Sequence, residues 1–224
     1  MLFRNWVKNF LFLLVYILSG VALVVIIDGL MTGNALDPFN TGVEQIVSHL
    51  RTPFLTYLML LVTNVGSPFV LSMMAILFAI ILVMHRDTFD TLLFMVSISL
   101  SILSFVVLKN ALHLPRPMGS LVNLTGWSFP SGHATVATAF FFSVGYAFFD
   151  KMKTAWGKIL LVTSCILAAT LVSVSRIYLG AHFALDVLGG IALGLLTVSF
   201  TVLVFNIFLA ERRPLRRKKF EKTL

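Results

Sequence analysis

Ser175-Arg176-Ile177-Tyr178-Leu179-Gly180-Ala181-His182-Phe183-Ala184-Leu185-Asp186 lies between two long apolar runs, about 159–176 and 181–209. Each run is close to or above the ~20 residues that a helix needs to cross a bilayer. The stretch joining them therefore sits at a membrane surface, yet it holds an arginine, a histidine and an aspartate within eleven positions. Ionisable groups in or beside lipid are costly to keep, which makes them functional candidates. His182 and Asp186 are spaced i, i+4, so on a helix they share one face. The carboxylate then engages one imidazole nitrogen and leaves the other free as base or nucleophile. A short Leu179-Gly180-Ala181 turn predicts the Arg176 guanidinium beside that imidazole. The planar arginine fork binds two phosphate oxygens at once.

Working outward, the composition agrees with a membrane setting. Of 224 residues, 58% are hydrophobic and only 12% are charged, against ~25% charged in soluble domains. The expectation is an all-α fold: a six-span transmembrane helix bundle with short interfacial helices on the extracytoplasmic side. A single domain covers 1–224, with a basic cytoplasmic tail from about 211. The spans are read at 9–27, 68–84, 88–108, 131–149, 159–176 and 181–209. Asp37-Pro38-Phe39-Asn40 opens a short amphipathic helix. Residues 52–84 are uncharged but too long for one upright helix. Gly66-Ser67-Pro68 breaks them, leaving Pro53–Val65 as an interfacial or partly inserted helix. Arg4 and Lys8 precede the first run, which is read as a span and not as a cleaved leader. The one cysteine, Cys165, falls within a span and is read as packing. Gly190 and Gly194 form a GxxxG pair, read as close helix packing.

The net charge of +8 follows the membrane and does not mark a nucleic-acid binder. With the N-terminus inside, 13 of 17 basic residues fall on the cytoplasmic side, as the positive-inside rule requires. Both termini are then cytoplasmic in a cell-membrane protein. Arg51, Lys109, Arg116 and Arg176 run against the bias and call for another explanation.

Three of those four belong to two outer connections. The loop before the fourth span opens with Lys109-Asn110-Ala111-Leu112-His113-Leu114-Pro115-Arg116-Pro117 and closes with Pro130-Ser131-Gly132-His133. Ser131 is a candidate N-cap. A helix N-terminus offers free backbone N–H groups to an anion, and Gly132 allows close approach. One outer face can thus gather Lys109, Arg116, Arg176, the Ser131 hydroxyl and a helix N-terminus around a phosphate. In that arrangement His182 attacks phosphorus, His133 protonates the leaving oxygen, and the cations stabilise the transition state.

These residues resemble the three signature motifs of the type-2 phosphatidic acid phosphatase superfamily. Those motifs are a lysine with six residues before Arg-Pro, then Pro-Ser-Gly-His, then Ser-Arg with five residues before His and three more before Asp. Every motif position matches between 109 and 186. The resemblance implies a metal-independent, cofactor-free phosphatase. It implies His182 as nucleophile, Asp186 as its orienting partner and His133 as general acid. Lys109, Arg116, Ser131, Gly132, Ser175 and Arg176 are implied to bind the substrate phosphate. Size and layout are similar to the bacterial six-span members that act on phosphatidylglycerophosphate and undecaprenyl diphosphate. The implied partner is a lipid phosphate in the membrane, with no nucleic acid and no required protein partner.

Simpler readings exist for each residue alone. Arg176 and Lys109 could be snorkelling anchors, and a His–Asp pair is often structural or half of a metal site. Three nearby cations and a single motif carboxylate disfavour a metal. The anchor reading leaves His133, His182 and Asp186 unexplained. A lipid phosphotransferase would use the same residues. A non-catalytic lipid-phosphate binder or scramblase would keep the anion site without turnover. A vanadate-dependent haloperoxidase uses similar motifs, but six spans argue against it.

Overall fold

The computed structural model describes residues 2–32 and 37–208. The basic tail from about 211 lies outside the described residues. Every regular element in that range is helical: α1 (Leu2–Thr32), α2 (Asp37–His49), α3 (Pro53–Val65), α4 (Pro68–Met84), α5 (Thr88–Leu112), α6 (Gly132–Phe149), α7 (Ala155–Tyr178) and α8 (Ala184–Phe208). The all-helical bundle expected from composition is what the chain forms.

Five helices, α1 and α5 to α8, are each long and apolar enough to cross a membrane; a sixth crossing exists if the bent pair α3–α4 is one span. The sequence assigned the crossing to Pro68–Met84 alone, with Pro53–Val65 interfacial or partly inserted. The structure favours insertion. Phe54, Tyr57, Leu61 and Val65 of α3 form one exposed apolar row, between 45% and 73% exposed. Such a row is sustained by lipid and not by water. Both halves are capped alike. Thr52 and Ser67 stand at the N-caps with proline in the first turn, and their hydroxyls accept from the backbone N–H groups of Leu55 and Val70. The two helices meet at 47°. Gly66 makes the bend possible because α7 passes against it: a Cβ there would stand 2.3 Å from Val172 Cγ2.

Helices α6 and α8 form the centre and bury most of their length. Helix α8 packs on α1, α5 and α6, and α6 packs on α4, α5 and α7. Small residues let α6 and α8 approach. A Cβ on Gly190 would lie 2.7 Å from the Ser131 carbonyl oxygen, and one on Gly194 would lie 2.7 Å from that of Thr135. The GxxxG pair is therefore a packing seam, as its spacing suggested. A buried hydroxyl pair, Ser101 Oγ and Thr197 Oγ1 at 2.6 Å, ties α5 to α8. We expect Gly190→Ala to cost about 1–3 kcal/mol through overpacking. Thermal unfolding in detergent would show a lower Tm. Gly42→Ala, with nothing within 4 Å of the new methyl, should leave Tm unchanged or higher.

The helix directions position the site. Successive long helices run up and down, so the C-terminal ends of α5 and α7 share one end of the bundle with the N-terminal ends of α6 and α8. The opposite end is laced by Lys8–Asp150 and by Lys151 with Asp87 at 2.9 Å and Asp90 at 3.4 Å. A cavity of about 590 Å³ also opens toward that opposite end, among Lys8, Phe142, Phe149 and Cys165, and holds none of the motif residues.

Candidate active site

Helix α7 ends in a glycine-terminated turn that delivers His182. Gly180 adopts φ +65°, a left-handed conformation that costs glycine little. Its N–H donates to the Ile177 carbonyl at 2.9 Å, and the Ala181 N–H donates to the Arg176 carbonyl at 3.0 Å. These two bonds are the Schellman closure of a helix. The chain then reverses, and α8 begins at Ala184. His182 is therefore not on a helix, as its spacing to Asp186 had implied. It sits in the turn, while Asp186 lies in the first turn of α8.

The pair still meets. His182 Nδ1 stands 3.5 Å from Asp186 Oδ2, with side chains only 3% and 2% exposed. The carboxylate is held by two further donors: the Phe183 N–H at 2.9 Å and the Ser128 hydroxyl. Nδ1 faces this acceptor group, so Nε2 is the nitrogen left for chemistry. A guanidinium does stand beside the imidazole, but it belongs to Arg116, whose Nη1 is 3.3 Å from Nε2. The loop geometry explains the exchange. Arg116 is anchored on the carbonyls of Ala181 at 2.9 Å and Gly126 at 3.0 Å, which aims it across the His182 turn. Arg176, on the same end, donates from Nη1 to Thr63 Oγ1 of α3 at 2.6 Å.

Burial pushes the His182 imidazole down to about 4. Asp186 pulls it back up, and the positive charges of Arg116 and Lys109 lower it further. At neutral pH the ring is therefore neutral, with a lone pair on Nε2.

Lys109, in the last turn of α5, donates to the Trp127 carbonyl at 3.0 Å and the Ser128 carbonyl at 3.4 Å. It thereby pins the segment that leads into α6. Ser131 is the N-cap residue of α6, but its hydroxyl makes no cap bond. Its Oγ is buried without a partner, and so is the Nε of Arg176. Both donors are thus available to an anion that enters this end of the bundle. The backbone N–H of Ser131 is spent on the Asp186 carbonyl at 3.0 Å, which locks the α6 entry against α8. Gly132 opens α6 below it, where an added Cβ would stand 3.1 Å from the edge of the Phe105 ring. His133 follows in the first turn, within coulombic range of Arg176, His182, Lys109 and Arg116. Ser175 stands apart from this group, since its hydroxyl donates to the Val172 carbonyl of its own helix at 2.6 Å.

Several participants carried no motif signal. Arg51, the fourth cation against the charge bias, donates from Nε to the Tyr178 carbonyl at 3.0 Å and braces the turn from outside. Asn40 of α2 accepts from the Leu185 N–H at 3.1 Å. Glu44 lines a small cleft together with Asn40 and His182. Ser128 precedes Ser131 by three positions, but its partner Asp186 is 58 residues away. Among the described residues no group of three His, Cys, Asp or Glu side chains could hold a metal ion.

Comparison with known proteins follows the same three motifs. A model of the PAP2 superfamily matches residues 90–209. The chain is 31% identical over 170 residues to phosphatidylglycerophosphatase B of Bacillus subtilis, covering 73% of this chain and 81% of that one. It is similar to the crystal structure of a transmembrane PAP2-type phosphatidylglycerolphosphate phosphatase from Bacillus subtilis, with TM-score 0.78, 27% identity, and 87% and 96% of the two chains covered. A more distant likeness, to Aquifex aeolicus LpxE, has TM-score 0.61 at 24% identity, covers 73% of this chain and 94% of that one, and concerns the fold. The matched region begins before the first motif and ends after the last, so the chain belongs to the PAP2 superfamily.

Proposed function

We propose that this membrane hydrolase, a lipid phosphatase, works through a phosphohistidine on His182. The observation that carries the reading is the setting of His182. It is buried and neutral, with Nδ1 turned to Asp186 and Nε2 turned to the Arg116 guanidinium 3.3 Å away. A phosphoryl group reached by Nε2 would have its oxygens beside that guanidinium, the arrangement that phosphoryl transfer needs.

In the first step the Nε2 lone pair forms the N–P bond as the P–O bond to the lipid breaks. The departing oxygen takes the proton of His133. Arg116, Arg176, Lys109, the Ser131 hydroxyl and the α6 N-terminus hold the three equatorial oxygens. Asp186 balances the positive charge that His182 acquires. In the second step water attacks phosphorus, gives its proton to His133, and releases phosphate and neutral His182. Ser175 contributes to packing in this scheme, since its proton is already committed to Val172.

The proposed substrate is a lipid phosphate whose head group reaches the motif end while its tail stays in the bilayer. Phosphatidylglycerophosphate leads, by similarity to the Bacillus subtilis enzyme, and undecaprenyl diphosphate is the second candidate. The motif end would face outside. Lys8, Arg86, Lys151, Lys153 and Lys158 gather at the other end, as cytoplasmic loops require. The test is phosphate release by the purified protein in mixed micelles. Phosphatidylglycerophosphate, phosphatidic acid and undecaprenyl diphosphate are compared at equal surface concentration. Turnover of none of them, or phosphate passed to a lipid acceptor and not to water, would defeat the proposal. Release should continue in excess chelator; loss that a divalent metal restores would overturn the metal-free mechanism.

The pH profile follows from the same geometry. A nucleophilic His182 must be neutral, so kcat/KM should fall only as pH drops toward about 4, well below the ~6.5 of an ordinary histidine. His133 must carry a proton when the lipid oxygen leaves, so the phosphate dianion bound beside it has to supply the charge that holds that proton. The lowered histidine also weakens the fold in acid, because between those two values the unfolded chain binds the extra proton. Rates should therefore be taken from brief exposures that reverse on return to neutral pH. An acid limb at or above 6.5 would contradict the assignment.

A further inference from the structure

Ser128 is fully buried and bonds to the first and third motif regions at once. Its carbonyl accepts from Lys109. Its own N–H donates to the Leu114 carbonyl at 2.8 Å, and it lies three residues before Ser131. Its hydroxyl donates to Asp186 Oδ2 and lies 3.4 Å from His182 Nδ1. Both approaches to Nδ1, 3.4 Å from the Ser128 hydroxyl and 3.5 Å from Asp186 Oδ2, are longer than an ordinary N–H···O bond of ~2.7–3.2 Å. The imidazole proton thus faces two acceptors, a carboxylate oxygen and a hydroxyl oxygen that is itself bonded to that carboxylate.

We propose that Ser128 is a positioning residue of the reaction: its hydroxyl bridges Asp186 and the His182 ring, fixes the carboxylate, and keeps the imidazole proton on Nδ1 so that Nε2 meets phosphorus. The inference rests on the reading of His182 as nucleophile. The hydroxyl carries one proton and has lone pairs to spare. Donating to Oδ2, it can accept from Nδ1–H without any proton changing owner. When the N–P bond forms, the positive charge on the ring is then shared with the carboxylate through two contacts. Without the hydroxyl, Oδ2 loses a donor and becomes a stronger acceptor for the imidazole. The other groups that face His182 are unchanged: Arg116 from the loop, Lys109 from α5 and His133 from α6.

The test compares wild type with Ser128→Ala and Ser128→Cys in the phosphate-release assay over pH. Losing a hydrogen bond to a charged group lowers kcat by about ten- to a hundredfold, while KM stays within about twofold. The acid limb of kcat/KM moves to higher pH, because the freed carboxylate pairs directly with the ring and raises its proton affinity. Cysteine fills the same space with a weak donor and behaves as alanine does; it decides the matter if alanine leaves the chain unfolded. A kcat within twofold of wild type overturns the proposal. So does a lower kcat with the acid limb unmoved, which is the signature of a packing role alone. The underlying reading is checked separately by quenching wild type during turnover. Absence of a phosphorylated protein removes the nucleophile assignment itself. Its presence, with Ser128 variants that behave as wild type, removes only the role of Ser128.

Discussion

Replacement of His182 by alanine is expected to reduce phosphate release by about four orders of magnitude or more, as removal of a nucleophile does in other covalent mechanisms. Binding of the lipid phosphate should survive, because the groups proposed to hold the anion lie on other elements. Lys109 closes α5, Arg116 stands in the loop, Ser131 caps α6 and Arg176 ends α7. The fold should also survive. His182 sits in a turn closed by backbone bonds at Gly180 and Ala181, and its side-chain polar contacts are with Arg116, Ser128 and Asp186. Release and equilibrium lipid binding measured on one preparation separate the two roles. Turnover above a few per cent of wild type would exclude His182 as the attacking group. Loss of binding together with turnover would make it a binding residue.

The second large effect is expected at Arg176. Arg176→Lys keeps the charge but removes the planar fork, and the two are not equivalent where oxygens are bound in pairs. The side chain is 3% exposed. Its Nη1 is fixed on Thr63, and its Nε is buried without a partner. A lysine ammonium carries its three protons on one atom, so it lacks the separated Nη and Nε donors with which the guanidinium can hold Thr63 and a phosphate oxygen at once. Removing a donor aimed at developing charge costs about 10²–10³ in kcat, so a fall of that size is expected, with a smaller change in KM. Thr63→Val supplies the companion measurement. It frees the guanidinium from its anchor, so it should reproduce part of the kcat loss. If Arg176→Lys raises KM and leaves kcat intact, Arg176 contributes uniform binding and no preferential hold on the transition state.

Much of this arrangement was legible in the sequence because it depends on local rules. Uncharged runs of twenty residues become spanning helices in any protein, since lipid leaves backbone groups no other partner. Proline after serine or threonine set the starts of α3 and α4, and Gly180 set the end of the α7 turn. The three motifs sit at helix ends, and the up-and-down course of the chain brings those ends together. Charge counting supplied an expected orientation for the same reason: it sums along the chain and needs no contacts.

What only the tertiary structure decided was which donor faces which acceptor. Spacing placed His182 on a helix with Asp186 and put Arg176 beside it. In the folded chain the histidine precedes α8, and Arg116 takes the place beside the ring. A guanidinium at the end of a long side chain is aimed by whatever carbonyls it finds, here Ala181 and Gly126, and no local pattern encodes that choice. The same limit hid Ser128, Thr63 and Arg51, whose partners lie between 58 and 127 residues away. Periodicity and motif spacing report what one segment does by itself. The pairing of side chains from different helices is set by how α6 closes on α8 across Gly190 and Gly194, where a side chain on either glycine would come within 2.7 Å of a facing carbonyl oxygen.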